Sequence, residues 1–265
     1  MTVTSFTNDP FLQSLVARLD QPGVIGIALV GSYARDENKE YSDVDVDIFV
    51  EEPPTPAAKY TLQYLDGKLA SLKYILLADE YAALTRPESA VWAVPGLRQM
   101  KILLDGTGQI ASLKQAALNF NWRDLQKAAN EYAIENLMGC AEEAHKILAG
   151  LQEEHESKVL YASWGMFKGL SFSVLVQAGL MIESENRAFD LIENHIGRDH
   201  AWTRAFRLSF GMDLGDVNVP VYQTRGIAAL DLYRETAILF KDIIHEKHRE
   251  VIENTLQLIS DAMSF

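Results

Sequence analysis

The sequence predicts an α+β chain: a mixed sheet with flanking helices in the N-terminal part, followed by an all-α helical bundle. Two observations carry this expectation. Short apolar or strictly alternating runs, punctuated by Gly and Pro, fill the chain to about residue 110. Beyond that point Gly and Pro become sparse and a 3.6-residue apolar period takes over. A length of 265 residues suits two modest domains. The expected division is 1–112 and 113–265, with the change of character spread over residues 109–122.

"NDPFLQSLVARLDQ" is expected to be helical, with Asn8 or Asp9 as N-cap and Pro10 in the first turn. "GVIGIALVGS" is a short apolar run rich in β-branched residues and ends in a Gly-Ser turn, so it reads as a buried strand. "DVDVDIFVEE" alternates strictly: Asp43, Asp45 and Asp47 share one face, and Val44, Val46, Ile48 and Val50 share the other. "PPTP" (Pro53–Pro56) reads as a loop, and "AAKYTLQYLD" as a helix closed by Gly67. "KLASLKYILL" and "LRQMKILLD" are further strand candidates, separated by the mixed segment "DEYAALTRPESAVWAVPG". "DGTG" (Asp105–Gly108) is a turn. The later segments, such as "RDLQKAANEYAIENLMGCAEEAHKILAGLQ", have the pattern of long amphipathic helices in an antiparallel bundle.

Composition narrows the function classes. An apolar fraction of 48% and a charged fraction of 23% exclude a disordered or low-complexity chain. Cys140 is the single cysteine, so no internal disulfide forms, and its helical context makes it a small buried apolar residue. The N-terminus has no basic segment followed by an apolar run, and the apolar stretches fall short of the ~20 residues that span a bilayer. A cytoplasmic location without a membrane partner is expected. The formal net charge is −13, and the acidity is spread over both halves of the chain. No basic cluster offers a footprint for nucleic acid. An acidic protein suits a cationic small molecule better.

Carboxylates two apart on a strand point the same way, roughly 6.5–7 Å apart along the backbone, and can converge on one divalent cation or share a pair. Hard oxygen donors suit Mg²⁺ or Mn²⁺. The Gly-Ser turn offers free backbone N–H groups and a hydroxyl, which hold phosphate without a positive side chain. The same three aspartates also describe the solvated face of a half-exposed strand. Aspartate is a poor strand residue, however, and like charges on one face repel unless a cation bridges them. A calcium loop is rejected, because Ile48 stands where its glycine is required and Pro54 where its glutamate is required.

An apolar strand, Gly31-Ser32, ten intervening residues and Asp43-Val44-Asp45 in a second strand closely resemble the nucleotidyltransferase superfamily typified by DNA polymerase β. "GSYARDENKEYSDVD", with "KILLDGTGQIASL" and the long helical second half, looks especially like the bacterial lincosamide and aminoglycoside nucleotidyltransferases. The sharp motif covers residues 29–50. The resemblance implies that Gly31 lets the backbone approach the nucleotide and that Ser32 bonds a triphosphate oxygen. It implies Asp43 and Asp45 as ligands of Mg²⁺ or Mn²⁺, with Arg35 as a contact for the triphosphate. A nucleoside monophosphate, AMP from ATP, would pass to a hydroxyl of a small polar, antibiotic-like acceptor with release of pyrophosphate. A homodimer is left open.

One departure stands out. The family usually takes a third carboxylate from a later strand, and the matching segment "GKLASLKYILL" presents Ser71 and Lys73 instead. Asp47 is one substitute. Glu131 and Glu135, four apart on one helix face, are candidates for the base, with Glu135 taken as the catalytic one. The alternative reading is a catalytically weak or inert nucleotide-binding sensor or partner protein. His245 and His248 in "IIHEKHRE" have metal-ligand spacing but are expected on a solvated face, and His195 and His200 at helix ends. Tyr161, Trp164, Phe167 and Phe172 are expected mostly in the bundle core, some of them lining an acceptor pocket.

Overall fold

The computed structural model describes residues 9–52, 55, 59–215 and 219–263. The chain divides into two compact units, Met1–Leu125 with Met181–Arg187, and Gln126–Leu180 with Ala188–Phe265. The architecture is α+β, as the alternation of patterns predicts.

In the first unit, α1 (Pro10–Leu19) leads to β1 (Val24–Leu29), the short helix α2 (Gly31–Ala34) and β2 (Val44–Val50). Then follow β3 (Tyr60–Leu65), β4 (Lys68–Leu76), α3 (Leu77–Ala83), α4 (Pro87–Gln99), β5 (Lys101–Asp105) and α5 (Gln109–Leu118). The five strands order as β3-β4-β2-β1-β5. Only β2 and β4 run parallel; the other pairs are antiparallel. Period-two alternation sends Ile27, Leu29, Val44, Val46 and Ile48 onto Leu12, Leu15 and Leu19 of α1. Ala28 and Phe49, of opposite parity, pack with Leu97 of α4 and Ile110 and Leu113 of α5. Asp45 and Asp47 of β2 share the parity of Phe49, and both are half-buried, as is Asp43 just before the strand, so this face is not freely solvated.

Several expectations need correction. "AAKYTLQYLD" is not a helix: residues 60–65 are β3. Asp66 and Gly67 both have positive φ (49° and 79°), and Leu65 pairs with Lys68, which makes a two-residue hairpin turn. Asp-Gly between alternating residues is the sequence sign of such a turn, and it outweighs the helical spacing of the apolar residues. The mixed segment before β5 forms α3 and α4, and α4 absorbs residues 97–99, so the "LRQMKILLD" strand is confined to Lys101–Asp105. Asp9 is the N-cap of α1, its carboxylate accepting from Phe11 N–H at 2.9 Å. Asn8 and most of the Pro53–Pro56 loop lie outside the described residues.

The second unit is built from α6 (Gln126–Gly139), α7 (Ala141–Gln152), α8 (Glu156–Ala178), α9 (Ala188–Ile196), α10 (Ala201–Phe210), α11 (Val221–Leu239) and α12 (Glu246–Ala262). Helix α8 is long and apolar enough to cross a membrane by length and composition, yet 61% of its apolar window is buried in the structure, as in a core helix. Phe167 of α8 stacks on Phe206, and Phe206 on Trp202, all three buried. Tyr161 and Trp164 lie on the outward face of α8 and are exposed, so half of the expected aromatic core stretch is surface. Cys140 is buried, and burial pushes its thiol up to about 12, which leaves it inert. His200 caps α10, its Nδ1 accepting from Trp202 N–H at 3.0 Å.

Candidate active site

The turn from β1 into α2 and the start of β2 are locked together. The Val30 N–H donates to the Asp45 carbonyl at 2.9 Å, which holds the Gly31-Ser32 turn beside the acidic strand. Gly31 has φ +64°, and a Cβ there would lie 2.2 Å from Asp45 Oδ2. The missing side chain is thus the space that the Asp45 carboxylate occupies. Glycine is required twice over, for the left-handed backbone and for the contact.

This corner opens into a cleft of about 960 Å³ formed entirely within the first unit. Gly31, Ser32, Arg35, Asp43 and Asp45 all line it, so five of the six candidate residues converge there. Asp47 lines it too, with Ser71 and Lys73. The parallel register sets Asp45 opposite Ser71 and Asp47 opposite Lys73, the two β4 residues that the sequence assigns to this face. Ser71 Oγ donates to Tyr60 Oη at 3.2 Å. Glu135 stands elsewhere in the chain, on α6 of the second unit with Glu131 and His248.

The electrostatics are those of crowded carboxylates. Burial, followed by the charge of Asp43, pushes Asp45 up to about 6, while the Ser71 hydroxyl and Arg35 act in the opposite direction. Burial pushes Asp47 up to about 7 against the pull of Lys73. Hard oxygen donors whose charged forms are costly in each other's company fit a divalent cation, which would relieve that repulsion. Asp43 and Asp45 are the residues that would hold it.

Arg35 is committed at both ends of its guanidinium. Its Nε donates to Glu37 at 2.9 Å, and its Nη1 to the Glu183 carbonyl at 2.8 Å. Glu183 belongs to the segment Met181–Arg187, which returns to the first unit although it lies about 150 residues further along the chain. The Ile182 N–H donates to the Val91 carbonyl at 2.8 Å, and Arg187 pairs with Glu37 at 3.1 Å. This segment brings Glu183 and Glu185 to the cleft wall, and α3 and α4 bring Glu80 and Glu88. Sequence reasoning missed all four, because none has a spacing signal tying it to the acidic strand. The negative charge of Glu185 adds to that around Asp45.

Residues 12–94 match the family model described as a nucleotidyltransferase domain. Among solved structures the chain is similar to a nucleotidyltransferase-like protein from Exiguobacterium sibiricum 255-15, at 15% identity, covering 91% of this chain and 79% of that one, with a TM-score of 0.49. A search of curated proteins finds no match.

Proposed function

We propose, from the premise that residues 12–94 form a nucleotidyltransferase domain of the polymerase β-like superfamily, that this chain transfers AMP from ATP to a hydroxyl of a small, polar, cationic acceptor. The observation that carries the reading is the Asp45 carboxylate seated against Gly31, with Ser32 and Asp43 in the same cleft. Gly31 and Ser32 would hold phosphate oxygens through backbone N–H groups and a hydroxyl. A Mg²⁺ or Mn²⁺ held by Asp43 and Asp45 supplies, when bound, neutralisation of phosphate charge.

The acceptor oxygen forms a bond to the α-phosphorus, the bond from that phosphorus to the bridging oxygen breaks, and pyrophosphate leaves. The hydroxyl proton passes to a carboxylate. Glu80, Glu88 and Glu185 line the cleft, and we assign the proton to this group rather than to Glu135, whose neighbours are Glu131 and His248. The cleft wall carries Asp43, Asp45, Asp47, Glu80, Glu88, Glu183 and Glu185 against Arg35 and Lys73. That balance supports a cationic, antibiotic-like acceptor, which is drawn to negative walls.

Titration of ATP and GTP with Mg²⁺ or Mn²⁺ tests the site. Metal-dependent binding, with preference for ATP, should disappear in the Asp43→Asn/Asp45→Asn double variant. Absence of binding at millimolar nucleotide rejects the reading. A second reading, an inert nucleotide-binding sensor, is favoured by one observation: Ser71, not a carboxylate, faces Asp45 across the sheet. It predicts the same binding but no pyrophosphate release with any hydroxyl acceptor.

A further inference from the structure

His248 breaks the expectation of a solvated face. Its backbone lies in the first turn of α12, but the side chain is turned inward and only 5% of the residue is exposed. Its Nδ1 is fully buried and has no hydrogen-bond partner among the described residues. A buried ring nitrogen without a partner is unusual in a folded protein and calls for an explanation. Grouped with the His248 ring are Glu131 and Glu135, four apart on α6 and therefore on one side of that helix. One ring nitrogen of His248 and one carboxylate oxygen from each glutamate all lie within 4.8 Å of one another.

We propose that Glu131, Glu135 and His248 form a metal site in the second unit, distinct from the acidic strand, that takes Zn²⁺. One imidazole and two carboxylates are a zinc-type donor set, with a fourth position left for water. Tetrahedral Zn²⁺, about 2.0–2.2 Å from each donor, holds its ligands roughly 3.3–3.6 Å apart. Glu135 is exposed, so its side chain is free to draw in by the difference. Glu131 already accepts from Lys247 and lies 3.3 Å from His245 Nε2. These partners hold it as a carboxylate and orient it, and a carboxylate has lone pairs left for a metal. The bound ion would clip α12 to α6.

The test uses the full chain, stripped of metal with a chelator and titrated with Zn²⁺ in the absence of nucleotide. Co²⁺ serves as a spectroscopic stand-in. Wild type should bind Zn²⁺ tightly, rise in melting temperature on binding, and give visible Co²⁺ bands characteristic of four-coordination. Glu135→Gln alters an exposed side chain and leaves the fold intact. It should weaken binding by at least the roughly 10- to 100-fold that follows loss of a mere supporting partner. His248→Gln should do the same. The Asp43→Asn/Asp45→Asn variant should bind Zn²⁺ like wild type, which separates this site from the cleft. Equal Zn²⁺ affinity in wild type and Glu135→Gln overturns the proposal. So does loss of the Co²⁺ bands in the Asp43→Asn/Asp45→Asn variant alone, or the absence of tight binding in wild type.

Discussion

Gly31→Ala separates the fold from the site, because its cost divides into two parts of different kind. A non-glycine residue at φ +64° costs about 1–2 kcal/mol of stability. The new methyl would also stand 2.2 Å from Asp45 Oδ2, about 1 Å or more short of ordinary contact. Asp45 Cγ and Cβ would lie only 3.0 and 3.2 Å away as well, so the whole side chain must shift, which adds to the stability cost and displaces the carboxylate by about that shortfall. A misplacement of ~1 Å in a reacting constellation costs on the order of 100-fold. Gly67→Ala is the matched control: it has φ +79° and nothing within 4 Å of the added carbon. Gly67→Ala should lose roughly 2–8 °C in melting temperature, and Gly31→Ala at least as much. Only Gly31→Ala should lose Mg²⁺-dependent nucleotide affinity or transfer. The assay pairs thermal unfolding with calorimetric titration of ATP and Mg²⁺. Equal nucleotide behaviour in the two variants would refute the claim that the glycine makes room for a working carboxylate.

Three further expectations concern the same corner. Asp45 and Asp47 hold their protons to about 6 and about 7, above the ordinary carboxylate value of about 4. Between about pH 4 and pH 7 these two groups therefore bind more protons in the folded, metal-free chain than in the unfolded one, and their contribution to stability falls as pH rises. Asp47→Asn should flatten the upper part of that fall in urea-unfolding midpoints; an unchanged slope would show that Asp47 ionises freely. Below about pH 6, protons should compete for Asp45, so Mg²⁺ affinity should rise with pH through that value, as read by titration at fixed nucleotide. Ser71→Asp would set a carboxylate opposite Asp45 in a residue only 8% exposed, so it should lower metal-free stability and tighten Mg²⁺ binding. Pyrophosphate release that rises with the added carboxylate supports an enzyme short of one ligand, and a flat result supports the inert binder.

Sequence alone determined what is local. Period-two alternation assigns Asp43, Asp45 and Asp47 to one side of β2 because strand geometry admits no other arrangement, and the Gly-Ser turn marks where the backbone must bend. Even the β3–β4 hairpin was legible in Asp66-Gly67, although the apolar spacing around it reads as helix. Tertiary packing decided what covers each face. Nothing in "MIESENR" announces that Glu183 and Glu185 return to a cleft built by residues 30–99, since that contact rests on Arg35, Val91 and Glu37 meeting a distant segment. The histidines of α12 make the same point. Their spacing is visible in the chain, but the burial of His248 against Glu131 and Glu135 follows from how α12 lies on α6, more than 100 residues away in sequence. A periodicity sets the direction a side chain takes from its own element, and only the neighbouring element determines whether that direction leads to water, to apolar core or to a ligand.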